Sequence, residues 1–195
     1  MKSSLGAAIF LVLTASCVHA LPETYFSGEG VQNRLLALIQ KSQTSIDLAI
    51  FEFSSPLLAE ALRHAHERGV TVRLLLDSHS GKKDAAEGSM AGLDVRELAG
   101  REGHRGLMHD KFAIFDEQLV VTGSYNWTRS AEHSNYENVL IEDDPEVVSK
   151  YHRQFSLLWN KASQKHIENS IGYGYVPRRH PRYFIYRRFF WRRKL

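Results

Sequence analysis

Cysteine is almost missing from this sequence of 195 residues, Cys17 being the only one. A single thiol closes no disulfide within the chain, and the paired Cys-x-x-Cys spacing of a structural zinc site cannot be built. No His-Glu-x-x-His run stands in for it. The conspicuous apolar run, Leu5 to Leu13, is too short to cross a bilayer as an ordinary helix. No residue type dominates, with 43% hydrophobic and 24% charged residues, which excludes disordered and collagen-like chains. Acidic residues are missing from one place in particular: Gly172 to Leu195 contains none.

Both ends differ from the middle. Met1-Lys2, the apolar run and the small exit residues Val18 and Ala20 before Leu21 form the pattern of a secretory signal peptide over residues 1–20. The expected location is therefore export, periplasmic or secreted. A buried N-terminal helix is the alternative, and Leu13 to Cys17 also loosely resembles a lipoprotein processing site with Cys17 as the lipidated residue. With either cut the mature chain has no disulfide, so its core alone must stabilise it, which its length permits. At the other end, residues 172–195 carry Arg178, Arg179, Arg182, Arg187, Arg188, Arg192, Arg193 and Lys194, eight of the 25 basic residues. The remaining 17 face all 22 acidic residues, so residues 1–171 have a net charge of −5. Eight aromatics alternate with these cations. Arginine neutralises phosphates and aromatic rings stack on bases, so the tail suits nucleic acid. It equally suits an anionic membrane surface, and a plain solvated extension is the third reading.

Between these ends, residues 21–171 read as one α/β domain. Val31 to Gln43 repeats apolar residues at helical spacing. Ser45 to Phe53 reads as a buried strand containing Ile46, Leu48, Ile50 and Phe51. Ser55-Pro56 caps a second helix that stops at Gly69, and Val70 to Leu76 is the next strand. Two such units in series predict a mixed sheet with helices, not an all-β sandwich. Ser78 to Gly92 and Gly100 to Gly106 read as loops, with a short strand from Asp94 to Leu98. His109 to Asp116 and Gln118 to Thr122 are expected to be strands joined by a tight turn at Asp116-Glu117. Tyr136 to Glu142 is another strand, and Asp144-Pro145 opens a long amphipathic helix through Trp159.

The chemistry is concentrated in His109-x-Lys111-x4-Asp116, followed by Gly123, Ser124, Asn126 and Glu137. On a strand His109 and Lys111 would share a face, and Asp116 would point to the other. An imidazole beside a fixed ammonium suits attack on a phosphodiester, with the lysine holding the anionic oxygens. Ser124 and Asn126 add neutral donors. Gly123 lets the backbone approach, and Glu137 is the natural partner for the far nitrogen of the imidazole. Asp116 belongs to the motif with a structural or electrostatic role, neither nucleophile nor base. His79 and His104, in loops near the motif, are candidates to line the site. His64 and His66, two apart on a helix, are surface residues.

The segments HDKFAIFD, GSYNWT and NYENVLI resemble the phospholipase D superfamily in residue type and order, and AIFEFSSPLLAEAL and ERGVTVRLLLD resemble its first strand–helix–strand unit. The likeness covers roughly residues 30–160, and its single motif copy most resembles the small secreted bacterial endonucleases. It implies a mixed sheet flanked by helices on both faces. It also implies a two-step hydrolysis without metal or other cofactor, in which His109 attacks phosphorus and a second histidine protonates the leaving oxygen. A single motif then implies a homodimer that presents His109 from both subunits. Nucleic acid is the expected substrate. A lipid phosphodiester is the first rival, and a catalytically silent nucleic-acid or membrane-binding module is the second.

Overall fold

The computed structural model describes residues 22–79, 90 and 92–164. The signal-peptide, lipoprotein and tail readings lie outside the described residues, as does most of the Ser78 to Gly92 loop. The elements are β1 (Glu23–Phe26), α1 (Val31–Lys41), β2 (Ser45–Ile50), α2 (Pro56–Glu67), β3 (Thr71–Asp77), β4 (Asp94–Gly100), β5 (Gly103–Leu107), β6 (Lys111–Phe115), β7 (Leu119–Gly123), α3 (Arg129–His133), β8 (Asn138–Glu142), α4 (Pro145–Lys161) and β9 (Ser163–Gln164).

The strands form one mixed sheet in the order β1-β8-β7-β6-β2-β3-β4-β5, with β9 beside β4. β2, β3 and β4 run parallel, while β6, β7, β8 and β1 add an antiparallel half. Helices cover both faces. One core packs α1 and α2 (Leu35, Ile39, Leu58, Leu62) against Ile46, Leu48, Ile50 and Leu74. The other packs α4 (Val148, Phe155, Trp159) against Ala49, Leu75, Phe112 and Ile114. The fold expected from the sequence is the fold observed.

Local chemistry explains the boundaries. Ser55 Oγ accepts the Leu58 N–H (3.4 Å) at the start of α2, with Pro56 in its first turn. Asp144 Oδ1 accepts the amides of Glu146 (2.9 Å) and Val147 (3.0 Å) at the start of α4. The Gly100 to Gly106 stretch is not a loop throughout: β5 folds back on β4 there. A Cβ on Gly100 would stand 2.2 Å from the Gly106 carbonyl carbon, so only glycine permits this approach.

Three strands are shorter than expected: β2 stops at Ile50 and not at Phe53, and the site depends on the late starts of the other two. β6 begins at Lys111 because Ile50↔Lys111 is its last pair with β2, which leaves His109 in the preceding loop. β8 begins at Asn138, paired with Phe26, which leaves Glu137 just outside it. Strand alternation therefore does not bring His109 and Lys111 together.

Candidate active site

His109 is exposed, in the loop at the end of β6 that lies beside the C-terminal end of β2. Lys111 Nζ donates to the His109 carbonyl oxygen (2.9 Å), so a hydrogen bond joins the pair where strand geometry does not. The ring of Phe51, just beyond β2, lies 4.6 Å from the His109 ring centroid to centroid, and Lys111 Nζ sits 5.1 Å over the same ring. Burial pushes the Lys111 ammonium below its ordinary pKa, against the opposing pull of Glu137, Asp110 and Glu52. Its remaining N–H donors are available to a bound anion.

β7 carries the next part of the site. Gly123, at φ 156°, passes so close to β8 that a Cβ there would lie 2.1 Å from the Asn138 carbonyl oxygen. That approach lets Ser124 N–H donate to Asn138 O (3.1 Å) and Asn138 N–H donate to Ser124 Oγ (3.1 Å). Ser124 Oγ in turn donates to Glu137 Oε2. Asn126 Oδ1 accepts the Glu52 amide (3.2 Å), which leaves its NH₂ group as a donor. The Lys111 charge thus stands among the carboxylates of Glu137, Asp110 and Glu52, of which that of Glu137 is bonded to Ser124.

Glu137 does not reach the imidazole of its own chain. Its carboxylate takes protons from Ser124 Oγ and from Asn135 Nδ2 (2.9 Å), and Ser27 holds its backbone, Glu137 N–H donating to Ser27 Oγ (2.5 Å). The reason is the strand order: β7 lies between β6 and β8, so the ends bearing His109 and Glu137 are two strand spacings apart, about 10 Å. In this arrangement the single Ser124 proton is directed at Glu137 and not at a ligand.

Asp116 stands at the far end of β6 from Lys111, and the structure does not bring it into the site. Asp116 and Glu117 occupy the left-handed region at φ 53° and 57°, as the central residues of a type I′ turn do, and Gln118 N–H donates to Phe115 O (3.0 Å) across it. Asp116 Oδ1 accepts the amides of Gln43 (3.0 Å), Thr44 (2.8 Å) and Ser45 (3.1 Å) and the Thr44 hydroxyl (3.0 Å). The turn is thereby tied to the α1–β2 connection. Burial raises this carboxyl's pKa, but the hydrogen bonds outweigh it and hold it below the usual carboxylate range. A depressed folded-state value means stability present above the unfolded pKa and lost as pH falls through the folded one. Asp116→Ala is expected to cost about 1–3 kcal/mol at neutral pH, with the gap to the parent shrinking in acid. Urea unfolding at pH 7 and below pH 3 checks this, and an equal gap at both would refute it.

Of the other histidines, His79 is exposed after β3, its Nδ1 3.7 Å from the buried Asp77 carboxylate. Asp77 also accepts the Met108 amide (2.7 Å), the residue before His109. His104 falls in β5, with its side chain outside the described residues. His64 and His66 are exposed on α2, and His64 pairs with Glu60 (3.2 Å). Sequence reasoning missed Phe51, which read as strand core, and also Asn138, Ser27 and Asp77. Among the described residues, no group of three or more His, Cys, Asp or Glu side chains is placed to hold a metal ion.

Residues 35–159 match the family described as "Cardiolipin synthase, PLD-like domain". The chain is 40% identical over 151 residues to a mitochondrial cardiolipin hydrolase of Xenopus tropicalis, covering 74% of this chain and 67% of that protein. It is 37% identical over 152 residues to the Homo sapiens protein of the same name, covering 76% of this chain and 57% of that one. Among solved structures it resembles a phospholipase D family member, Nuc, from Salmonella typhimurium. That likeness has a TM-score of 0.67 at 29% identity and covers 74% of this chain and 97% of the other. With His109, Lys111, Ser124, Asn126 and Glu137 at one end of a mixed sheet of this topology, the chain belongs to the phospholipase D-like family, whose hydrolases act on phosphodiester bonds.

Proposed function

We propose that the chain hydrolyses phosphodiesters through a phosphohistidine on His109, with polymeric nucleic acid as substrate. The observation that carries the chemistry is the exposed His109 ring beside the partly desolvated Lys111 ammonium. A nitrogen of His109 attacks phosphorus while Lys111 and the Asn126 NH₂ hold the non-bridging oxygens. The bond to the leaving oxygen breaks, and a second imidazole gives that oxygen its proton. The same imidazole then takes a proton from water, whose oxygen displaces His109 and leaves a phosphomonoester. Lysine and amide donors neutralise the charge, so turnover is expected to persist in excess EDTA. Loss restored by a divalent cation would sink this route.

The second imidazole is the His109 of another copy. Supporting this reading, Glu137 is out of reach of its own His109, and Phe26, Tyr136 and Leu140 lie exposed along the β1–β8 edge beside it. When Glu137 turns to the imidazole of the second copy, the Ser124 hydroxyl is released to donate to phosphate. Specific activity should therefore fall on dilution, in step with dimer dissociation in sedimentation. A monomer with full activity would refute the shared site.

The nucleic-acid substrate is supported by the Arg- and aromatic-rich composition of residues 172–195. A lipid diester is the second reading, favoured by the relatives named cardiolipin hydrolase. Product release from DNA, RNA and cardiolipin-containing vesicles, by the full chain and by one ending at Ile171, separates them. Cleavage of vesicles alone would overturn the nucleic-acid reading.

A further inference from the structure

A nucleophilic histidine is ordinarily held by a hydrogen bond to its far nitrogen. Among the described residues no side chain hydrogen-bonds the His109 ring; its neighbours are the Phe51 ring, tilted against it, and Lys111, which bonds the His109 backbone carbonyl. The Phe51 ring is tilted 56° to the imidazole at 4.6 Å, and the Lys111 ammonium lies 5.1 Å over the same ring. One aromatic ring therefore touches both reacting side chains.

The base of that ring is fixed on both sides. Phe51 follows Ile50, whose pair in the sheet is Lys111. It precedes Glu52, whose amide is held by Asn126 Oδ1 (3.2 Å). The backbone under the ring is thus tied to β6 and to the loop that follows β7, the two segments that bring the motif residues together. A tilted ring contact restrains the imidazole without occupying either nitrogen, leaving one to attack phosphorus and the other for a carboxylate. The ring face also attracts the neighbouring ammonium. We infer that Phe51 is a positioning residue, which orients the His109 ring and holds it in register with Lys111.

This inference rests on His109 being the nucleophile, so its test includes a readout independent of turnover. In the full chain, the His109 imidazole proton resonances carry the ring-current shift of Phe51. Phe51→Leu keeps apolar bulk but removes the ring. It is expected to move those resonances and to lower kcat on a small chromogenic phosphodiester by on the order of 10²-fold, the cost of misplacing a reacting group by about an ångström. KM should barely change, and Phe51→Tyr should restore both readings. If Phe51→Leu does not fold, Phe51→Met takes its place. Unmoved resonances would overturn the inference, as would a rise in KM at constant kcat, which would make Phe51 a substrate contact. If His109→Ala kept its turnover, the nucleophile reading would fall, while the resonance shift would still decide whether Phe51 orients the ring.

Discussion

His109→Ala is expected to lower turnover by on the order of 10⁴- to 10⁶-fold, the range seen when a covalent nucleophile is deleted. Lys111→Ala should cost about 10²- to 10³-fold, as for loss of one preorganised donor to a developing oxyanion. The two losses differ because the groups do. In the proposed mechanism no phosphoenzyme forms without the imidazole, whereas without the ammonium the Asn126 NH₂ remains as a donor. His109 is exposed, and its ring has no hydrogen bond among the described residues, so its removal should leave the melting temperature nearly unchanged. Acid-labile phosphate trapped on the parent during turnover, and absent from His109→Ala, checks the assignment. Equal trapping on both proteins would place the nucleophile elsewhere.

The largest expected loss of stability lies on the opposite face of the sheet. Phe155 is fully buried in α4. It stacks on Trp159 (5.5 Å between centroids, 21° between planes), meets Phe112 edge-on at 6.5 Å, and receives the Arg73 guanidinium at 5.0 Å. Arg73 is itself bidentate to the buried Asp47 (2.7 and 2.6 Å). Phe155→Ala opens a cavity among these groups and should cost about 3–5 kcal/mol, lowering the melting temperature by on the order of 10 °C in a domain of this size. Phe112 and Lys111 point to opposite faces of β6, so turnover of the folded protein at room temperature should be kept. A shift of only a few degrees in calorimetry would show that the α4 face repacks around the void.

Much of this was legible in the sequence where periodicity is long and strong. Val31, Leu35, Leu38 and Ile39 marked α1, and Ser55-Pro56 and Asp144-Pro145 marked helix starts that the structure keeps. β1, α3 and β9 are too short to show a period. β5 was concealed by glycines that read as a loop but in fact allow strands to approach. The candidate site residues were legible as an ordered set of types. Their contacts were not, because the ends of β6 and β8 depend on where β2 and β1 stop. Phe51 was indistinguishable from the core residues before it, since its contact with His109 exists only across paired strands. Asp116 was expected apart from His109 through strand alternation; the length of β6 separates them instead, and its partners at Gln43, Thr44 and Ser45 needed the sheet to be assembled.

The pairing of β1 with β8 has a consequence for the order of folding. β1 is the first strand described and β8 the last but one along the chain, and the Ser27–Glu137 hydrogen bond spans 110 residues. Leaving the ribosome, β1 has no partner until nearly the whole domain has been made. The local βα units, with their low contact order, can form while it waits. The backbone of Glu137 is thus anchored by the first strand described, in a contact that can close only near the end. His109 and Lys111 are made before the segment that completes the candidate site.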